Sequence, residues 1–591
     1  METSGHSISL YCWHNGRKAN DEFRNAGIMT NLSNRWATFL AAVCGLIAST
    51  AYGQGVNWKV DHESVASNPD GLSWLTAYPN LQDAFEAADP GDTIFVADGV
   101  YFPPDGIDNP PQDLRDAAFA LRDGVAIYGG FQGISHPDGP ETEDELSDRN
   151  WIAHVTVLDG DIGVAGDHTD NSIHVVTAID VNVPTRLDGF TIRHGRAVES
   201  EVGGGMLMQD SSPLILNCTF EDNTAAGGGA LFIDGQASGR LGPQCINCTF
   251  SANTSGNRGG AAWVRKTDAI FYNCLFYGNL AAKGGGLFTE TGLIVWNCTL
   301  AFNHATSGGP SDVGGGGIAF DTGSVNVANS ILWGNTDAAG SDQDAQIDPN
   351  DSIEPEFIAI SYSCIQNWTG EYGGSGNTGE DPLFLNASQN NFRLGSLSPS
   401  LDGGNSTFLP DDVADLDMDN NFGESMPLDL DFKPRSAFDI PDMGAHEFQS
   451  TCPEDIFPAN SASRCGDGDA TIGSGDLAEL LSNWGDCPGC CADLFPTAES
   501  GGGDGVVAAG DLGQLNASWG PCGGEGFGGP EGGGGADDSN APEVVALMQA
   551  LETIGYEDVE SFLAWTESAP DSEVDQMGYI LQTILDGLGG P

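Results

Sequence analysis

One short phrase recurs across residues 187 to 335 and limits the fold more than any other property of the chain. Its copies read Cys218-Thr219-Phe220-Glu221-Asp222-Asn223, Cys248-Thr249-Phe250-Ser251-Ala252-Asn253, Cys274-Leu275-Phe276-Tyr277-Gly278-Asn279, Cys298-Thr299-Leu300-Ala301-Phe302-Asn303 and Ser330-Ile331-Leu332-Trp333-Gly334-Asn335. A further asparagine precedes each copy, at positions 217, 247, 273, 297 and 329. Between copies lie Gly228-Gly229-Ala230-Leu231, Gly259-Gly260-Ala261-Ala262, Gly285-Gly286-Leu287 and Gly316-Gly317-Ile318. The series from Asn223 to Asn335 steps by 30, 26, 24 and 32 residues, a period that belongs to solenoids.

The content of each unit selects a β solenoid. Runs such as Leu214-Ile215-Leu216 and Leu293-Ile294-Val295-Trp296 are bounded by Gly and Asn, and no amphipathic stretch is long enough for a helix pair. Short strands stacked about 4.8 Å apart place like residues on like. Cys218, Cys248, Cys274 and Cys298 then form one inward column and pack as small apolar residues, with an inter-rung disulfide as the alternative. The asparagines form ladders at turns, where they tolerate a left-handed backbone and satisfy buried polar groups. The expected fold is mainly β, a right-handed parallel β-helix solenoid over residues 54–450, with an N-terminal helical cap.

Phe-x-x-Asn alternating with Gly-Gly-Ala-aliphatic resembles the repeat of polymorphic outer membrane proteins. The stretch from residue 56 to 450 also resembles the extracellular bacterial β-helix proteins described as choice-of-anchor. The matching segments are Asn80 to Phe85, Pro90 to Ile94, Gly99-Val100-Tyr101, Tyr128 to Phe131, Leu158 to Ile162 and the closing Asp442-Met443-Gly444-Ala445-His446-Glu447-Phe448. Within that resemblance Leu81, Ala84, Phe85 and Ala88 fall on one face of a short capping helix, which shields the open end of the solenoid. The family is defined by architecture, so the resemblance implies a fold and no particular activity.

Charge narrows the partners. Against 85 acidic residues stand 20 Lys and Arg, a formal net charge of −65, which repels nucleic acid and anionic membranes and favours cations. Arg35, the apolar run Ala37 to Ile47 and Ala51-Tyr52-Gly53 before Gln54 read as an export signal over residues 1–53, with Met29 as an alternative start. A membrane anchor is the other reading, but the apolar run is shorter than a bilayer span. The mature chain is then expected without a transmembrane segment, secreted or held at the cell surface.

Scarce cations mark the candidate binding site. Arg193, His194 and Arg196 follow the strand Leu187 to Ile192, and Arg258, Arg265, Lys266 and Lys283 come within the next three coils. On the repeat, Arg193 is level with Glu221, Ser251, Tyr277, Ala301 and Trp333. A lateral groove lined by Arg193, His194, Arg196, Arg265 and Lys266 with Tyr277 and Trp333 would suit a polysaccharide. The bland alternative is solvated charge on turns. Longer loops in residues 101–186, at Gly308 to Gly314 and at Asp337 to Pro355 are either ligand-facing insertions or tolerated surface. Carboxylates are too abundant for an acid and base pair to carry meaning, and no Gly-His-Gly with a downstream Arg-x-Lys is present.

Residues 451–525 form a second domain of two related halves. Cys452-Pro453-Glu454-Asp455-Ile456-Phe457-Pro458 matches Cys491-Ala492-Asp493-Leu494-Phe495-Pro496, and each half continues into a Gly-Asp loop and a segment ending Trp484-Gly485 or Trp519-Gly520. This resembles a dockerin, which implies two calcium loops and a cohesin-like or cell-surface partner. Calcium would be held by Asp467, Asp469, the Thr471 carbonyl and Asp476 in one loop, and by Asp504, the Val506 carbonyl and Asp511 in the other. Both loops lack ligands at their first positions, which Asp455 and Asp493 would supply by folding back. A disulfide-held turn with little or no calcium is the alternative. Cys452, Cys465, Cys487, Cys490, Cys491 and Cys522 are expected to form disulfides, with zinc at Cys487-Pro488-Gly489-Cys490-Cys491 as the lesser option. A Gly-rich linker over 526–540 leads to an acidic helical tail over 541–591.

Two functions fit these features: a non-catalytic extracellular glycan-binding or structural protein on a calcium-dependent tether, or a polysaccharide lyase or glycoside hydrolase on the same tether.

Overall fold

The computed structural model describes residues 55–448 apart from 104–113, 138, 140–142, 144, 183, 236–241, 309–313, 351–356, 420 and 436–439, together with four backbone dipeptides beyond residue 470. The chain divides into two units, residues 1–436 with 440–447, and residues 437–439 with 448–591.

In the first unit the repeat copies at Cys218, Cys248, Cys274 and Cys298 each close one coil of four short strands, and the copy at Ser330 lacks the third of them. One coil runs through Leu214–Leu216 in sheet A, Thr219–Glu221 in sheet B, Thr224–Gly227 in sheet C and Leu231–Asp234 in sheet D. Strands from successive coils pair in parallel, building sheets of ten, nine, five and eight strands respectively among the described residues. The architecture is a parallel β-helix. Register follows the repeat: Thr219, Phe220 and Glu221 pair with Thr249, Phe250 and Ser251, and these with Leu275, Phe276 and Tyr277.

Like residues do stack on like. Phe220, Phe250 and Phe276 are fully buried and lie nearly parallel, with ring centroids 5.2 and 4.7 Å apart. Cys218, Cys248, Cys274 and Cys298 line the interior as free thiols, so packing is realised and the disulfide alternative is not.

Two asparagine columns hold the turns. Asn217, Asn247, Asn273, Asn297 and Asn329 take φ between 48° and 54° at the corner between sheets A and B. Asn223, Asn253, Asn279, Asn303 and Asn335 are all completely buried at the corner between B and C. Each amide of this second column donates to the side-chain oxygen of the next, at 2.9–3.1 Å, and the last donates to Gln346. The second amide hydrogen goes to a strand carbonyl such as Phe250 O, so both donors are used.

The glycine clusters answer a different demand. Gly228, Gly259, Gly284 and Gly315 have φ near 63°, which favours glycine. A Cβ on the following glycines would meet the next rung: 2.3 Å from Gly260 O at Gly229, and 2.1 Å from Gly285 O at Gly260.

Near the chain's start a helix forms at Leu81–Ala87 and buries Leu81, Ala84 and Phe85 in the same core. After the last coils, the described residues of 384–435 and 440–447 pack along the outside as a strap. Asn273 and Asn329 donate to the Leu428 and Asn405 carbonyls at 2.6 and 3.0 Å, so the corner column also receives this strap. Among the described residues no helix is long and apolar enough to cross a membrane.

In the second unit four dipeptides have described backbones. Thr471–Ile472 pairs antiparallel with Gly520–Pro521, and Gly485–Asp486 with Val506–Val507. Thr471 corresponds to Val506 in the internal repeat, and Asp486 to Pro521, so each half pairs with the other in the same way. The Gly-rich linker, the helical tail, the export signal and the six cysteines of this unit lie outside the described residues.

Candidate functional site

Arg193 closes the sheet B strand Phe190–Arg193, and His194 follows at φ 63°, the turn position that Asp222, Ala252, Gly278, Phe302 and Gly334 hold in later coils. The register places Arg193, Glu221, Ser251, Tyr277, Ala301 and Trp333 in one column, with Asp159 one rung before Arg193. Asp159 is almost fully buried and takes both cations: Arg193 Nε donates to Oδ2 at 2.9 Å, and His194 Nδ1 lies 2.8 Å from Oδ1. Burial pushes the Asp159 carboxyl up, but His194, the Asp161 amide and Arg193 outweigh it and hold it below the usual range. The same hydrogen bond raises His194 against the opposing effect of burial. Asp159, Arg193 and His194 therefore form an internal ion cluster with Arg193 also near Glu221 at 3.9 Å. Arg196 opens the sheet C strand Arg196–Val202 on the far side of the same turn, where its carbonyl accepts from Arg115.

Arg265 and Lys266 lie elsewhere. Arg265 ends the sheet D strand Ala262–Arg265 and Lys266 follows it at φ 63°, so the whole of sheets C and D intervenes along the coil between the two basic pairs. Their carboxylate is Asp234, 2.8 Å from Lys266 Nζ and 3.3 Å from Arg265 Nε. Arg258, at the corner between C and D, binds Glu290 and Asp321 at 2.8 and 2.9 Å and covers the Phe288 ring.

The single basic groove expected from the sequence is not assembled. A solenoid of four sheets distributes residues that are close in sequence to different corners, and Arg193, His194, Arg258, Arg265 and Lys266 each meet a carboxylate one or more rungs away. Nor do the two aromatics stand side by side. Tyr277 packs against Phe392 of the strap, with centroids 5.3 Å apart, and Trp333 ends the strand Ile331–Trp333 two rungs further on.

No protein-family model matches this chain, and no curated protein does. Among solved structures it is similar to pectate lyase Pel9A, at 13% identity and a TM-score of 0.38 over 68% of this chain and 98% of that one. It is also similar to the pectin methylesterase from Aspergillus niger, at 13% identity and a TM-score of 0.21 over 56% and 88%. A third is the tailspike protein gp49 of Acinetobacter baumannii bacteriophage Fri1, a capsular polysaccharide depolymerase, at 12% identity and 0.24 over 55% and 63%.

A further polar assembly, around Arg435, is one the basic residues did not announce. Arg435 is fully buried and donates Nη2 to the Gly444 carbonyl at 2.6 Å. Around it Asp429 accepts from the Asp431, Lys433 and Glu447 amides, and Glu447 accepts from the Asp442 amide. Burial and the neighbouring Asp442 push Glu447 well above its ordinary value, and burial raises Asp429. Asp431, bound by His446 at 3.1 Å and by Arg393 at 2.6 Å, is driven far below the carboxylate range despite its burial. Ligand atoms of Asp429, Asp431 and His446 lie within 4.8 Å, but Arg393 and backbone amides already occupy these oxygens. This is a knot that fastens the strap. The closing motif Asp442 to Phe448 pointed to it; its partners Asp429, Asp431 and Arg435 carry no repeat signal.

Of the expected calcium ligands, Thr471 and Val506 fall in the described backbone pairs, each in a strand joining one half to the other. Asp455, Asp467, Asp469, Asp476, Asp493, Asp504 and Asp511 lie outside the described residues.

Proposed function

We propose that this chain is an exported right-handed parallel β-helix that serves as a non-catalytic extracellular scaffold, meeting polysaccharide or cell-surface partners, and that a calcium-dependent dockerin-like module over 451–525 tethers it. The observation that carries the scaffold reading is the commitment of its cations. Arg193 and His194 are held by Asp159, Arg265 and Lys266 by Asp234, and Arg258 by Glu290 and Asp321. A lyase needs a base and a positive field facing its substrate; here those charges are spent on the wall. With a net charge of −65, any anionic glycan must be met through bridging calcium, and a neutral glycan through aromatic and hydroxyl contacts.

Support for the tether is the matched pairing of the two halves, Thr471–Ile472 with Gly520–Pro521 and Gly485–Asp486 with Val506–Val507. The test is affinity electrophoresis of the full chain through gels loaded with neutral or anionic glycans, with calcium or chelator. Retardation by a glycan, with no cleavage, supports the reading; no retardation by any glycan and no calcium-dependent surface attachment would overturn it. For the tether, Asp469→Ala combined with Asp504→Ala should abolish calcium-dependent attachment.

A further inference from the structure

The segment from Asp411 to Glu424 plays no part in either half of that reading. It crosses the outer face of sheet A and is pinned there by Ala414, Leu416 and Met426, which pack with Leu216 and Ile246 of adjacent strands. Arg186 of the same sheet donates Nη1 to the Ala414 carbonyl at 3.0 Å. Between these anchors the chain carries an oxygen on every second side chain, at Asp415, Asp417, Asp419 and Asn421, followed by Glu424. Asp415 and Met418, at φ 53° and 62°, curl the segment on itself. One oxygen each of Asp412, Asp415 and Asp417 lie within 4.8 Å of one another, and the same holds for Asp417, Asp419 and Glu424. Asp417 belongs to both sets.

Burial separates this loop from an ordinary acidic surface. Asp412 is 1% exposed; its Oδ2 accepts the Leu416 amide at 2.8 Å, while its Oδ1 is shut from solvent with no hydrogen-bond partner. On the other side of Asp417, Glu424 Oε1 is likewise buried and unpartnered, although its Oε2 accepts from Asn421 at 3.1 Å. Burial, then the charges of Asp417 and Asp415, push the Asp412 carboxyl up to about 6. Arg186 faces Asp415 from sheet A, but it is already bound to Asp188 at 2.8 Å. Carboxylate oxygens without water or donors are destabilising unless a cation sits among them.

The geometry points to a calcium site centred on Asp417, with Asp412 and Asp415 on one side and Asp419 and Glu424 on the other, that locks the C-terminal strap onto sheet A. Calcium is the class of ion that takes six to eight oxygens in an irregular loop, including carboxylates at alternate positions. The site is separate from the loops expected over 451–525, and it needs neither the tether nor a glycan.

The test uses the full chain carrying Asp469→Ala and Asp504→Ala, so that the expected C-terminal loops are silent, and adds Asp412→Asn, Asp417→Asn or Asp419→Asn. Calcium titration by calorimetry and thermal melts in calcium and in chelator are the readouts. Without the ion, Asp412→Asn removes a buried unpaired charge and should raise the melting temperature; with calcium it should lower it relative to the parent. Each variant should weaken calcium by at least about tenfold, the loss typical even of groups one step removed from a metal. Asp419 is exposed, so Asp419→Asn leaves the fold intact and keeps the test open where the buried variants fail to fold. Parent protein that binds no calcium, or variants that raise the melting temperature equally with and without it, would overturn the proposal.

Discussion

Asn279 offers the sharpest test of how the wall is held. Its side chain is completely buried in the middle of the amide ladder and makes four hydrogen bonds: to Phe250 O and Asn303 Oδ1, both at 2.9 Å, and from the backbone and side-chain amides of Asn253, both at 3.0 Å. Asn279→Ala removes all four. At roughly 1 kcal/mol net per bond, and more where a buried donor is stranded, the loss is about 3–6 kcal/mol. Asn279→Asp keeps the shape but turns a donor into a lone pair facing Phe250 O. Burial would hold that carboxyl above its unfolded value, so the variant should be least impaired in acid and lose stability as pH rises through the folded value. Urea unfolding followed by hydrogen exchange over residues 250–303 measures both effects, because a repeat array can open locally. If Asn279→Ala lies within about 0.5 kcal/mol of the parent and exchange in those rungs is unchanged, the ladder is not what fastens this corner.

Three further outcomes follow from the same geometry. Phe250→Ala, which breaks the stack between Phe220 and Phe276, should cost about 3–5 kcal/mol by chemical denaturation, whereas Phe422→Ala at an exposed position should cost little. Asp159→Asn should lower the His194 titration midpoint seen by NMR. The Asp159 contribution is present above its ordinary value of 3.8 and lost in acid; that of His194 is present below its ordinary 6.5 and lost as pH rises, so their joint stabilisation is greatest between those values. Burial raises the Cys218, Cys245 and Cys274 thiols well above their usual value, so alkylating reagent should label these three only after unfolding; their labelling in the native chain, mapped by peptide mass spectrometry, would contradict their place in the solenoid interior.

What the sequence disclosed, and what it did not, divides by whether a contact repeats. Asn223 and its counterparts are spaced by one coil, so spacing alone put them in a column, and the same holds for Cys218 and Phe220. Arg193 and Arg265 are both near the ends of strands, but of different sheets, and a one-dimensional cluster of charge became separate ion pairs on different corners. The strap hid for the opposite reason. Phe392 and Arg435 are single residues that reach far back in the chain, to Tyr277 and Asn297. Asp415, Asp417 and Asp419 alternate visibly, but among 85 acidic residues alternation had no weight until burial of Asp412 gave it some.

The scaffold reading rests on cations that are committed to the wall, and product analysis tests it most directly. The full chain with calcium would be incubated with uronate-rich and neutral polysaccharides, and new reducing or unsaturated ends would be counted. The account predicts none above the blank, with the parent and Arg193→Ala indistinguishable. Chain cleavage by the parent that disappears in Arg193→Ala or His194→Ala would contradict it and make the Asp159 corner an active site.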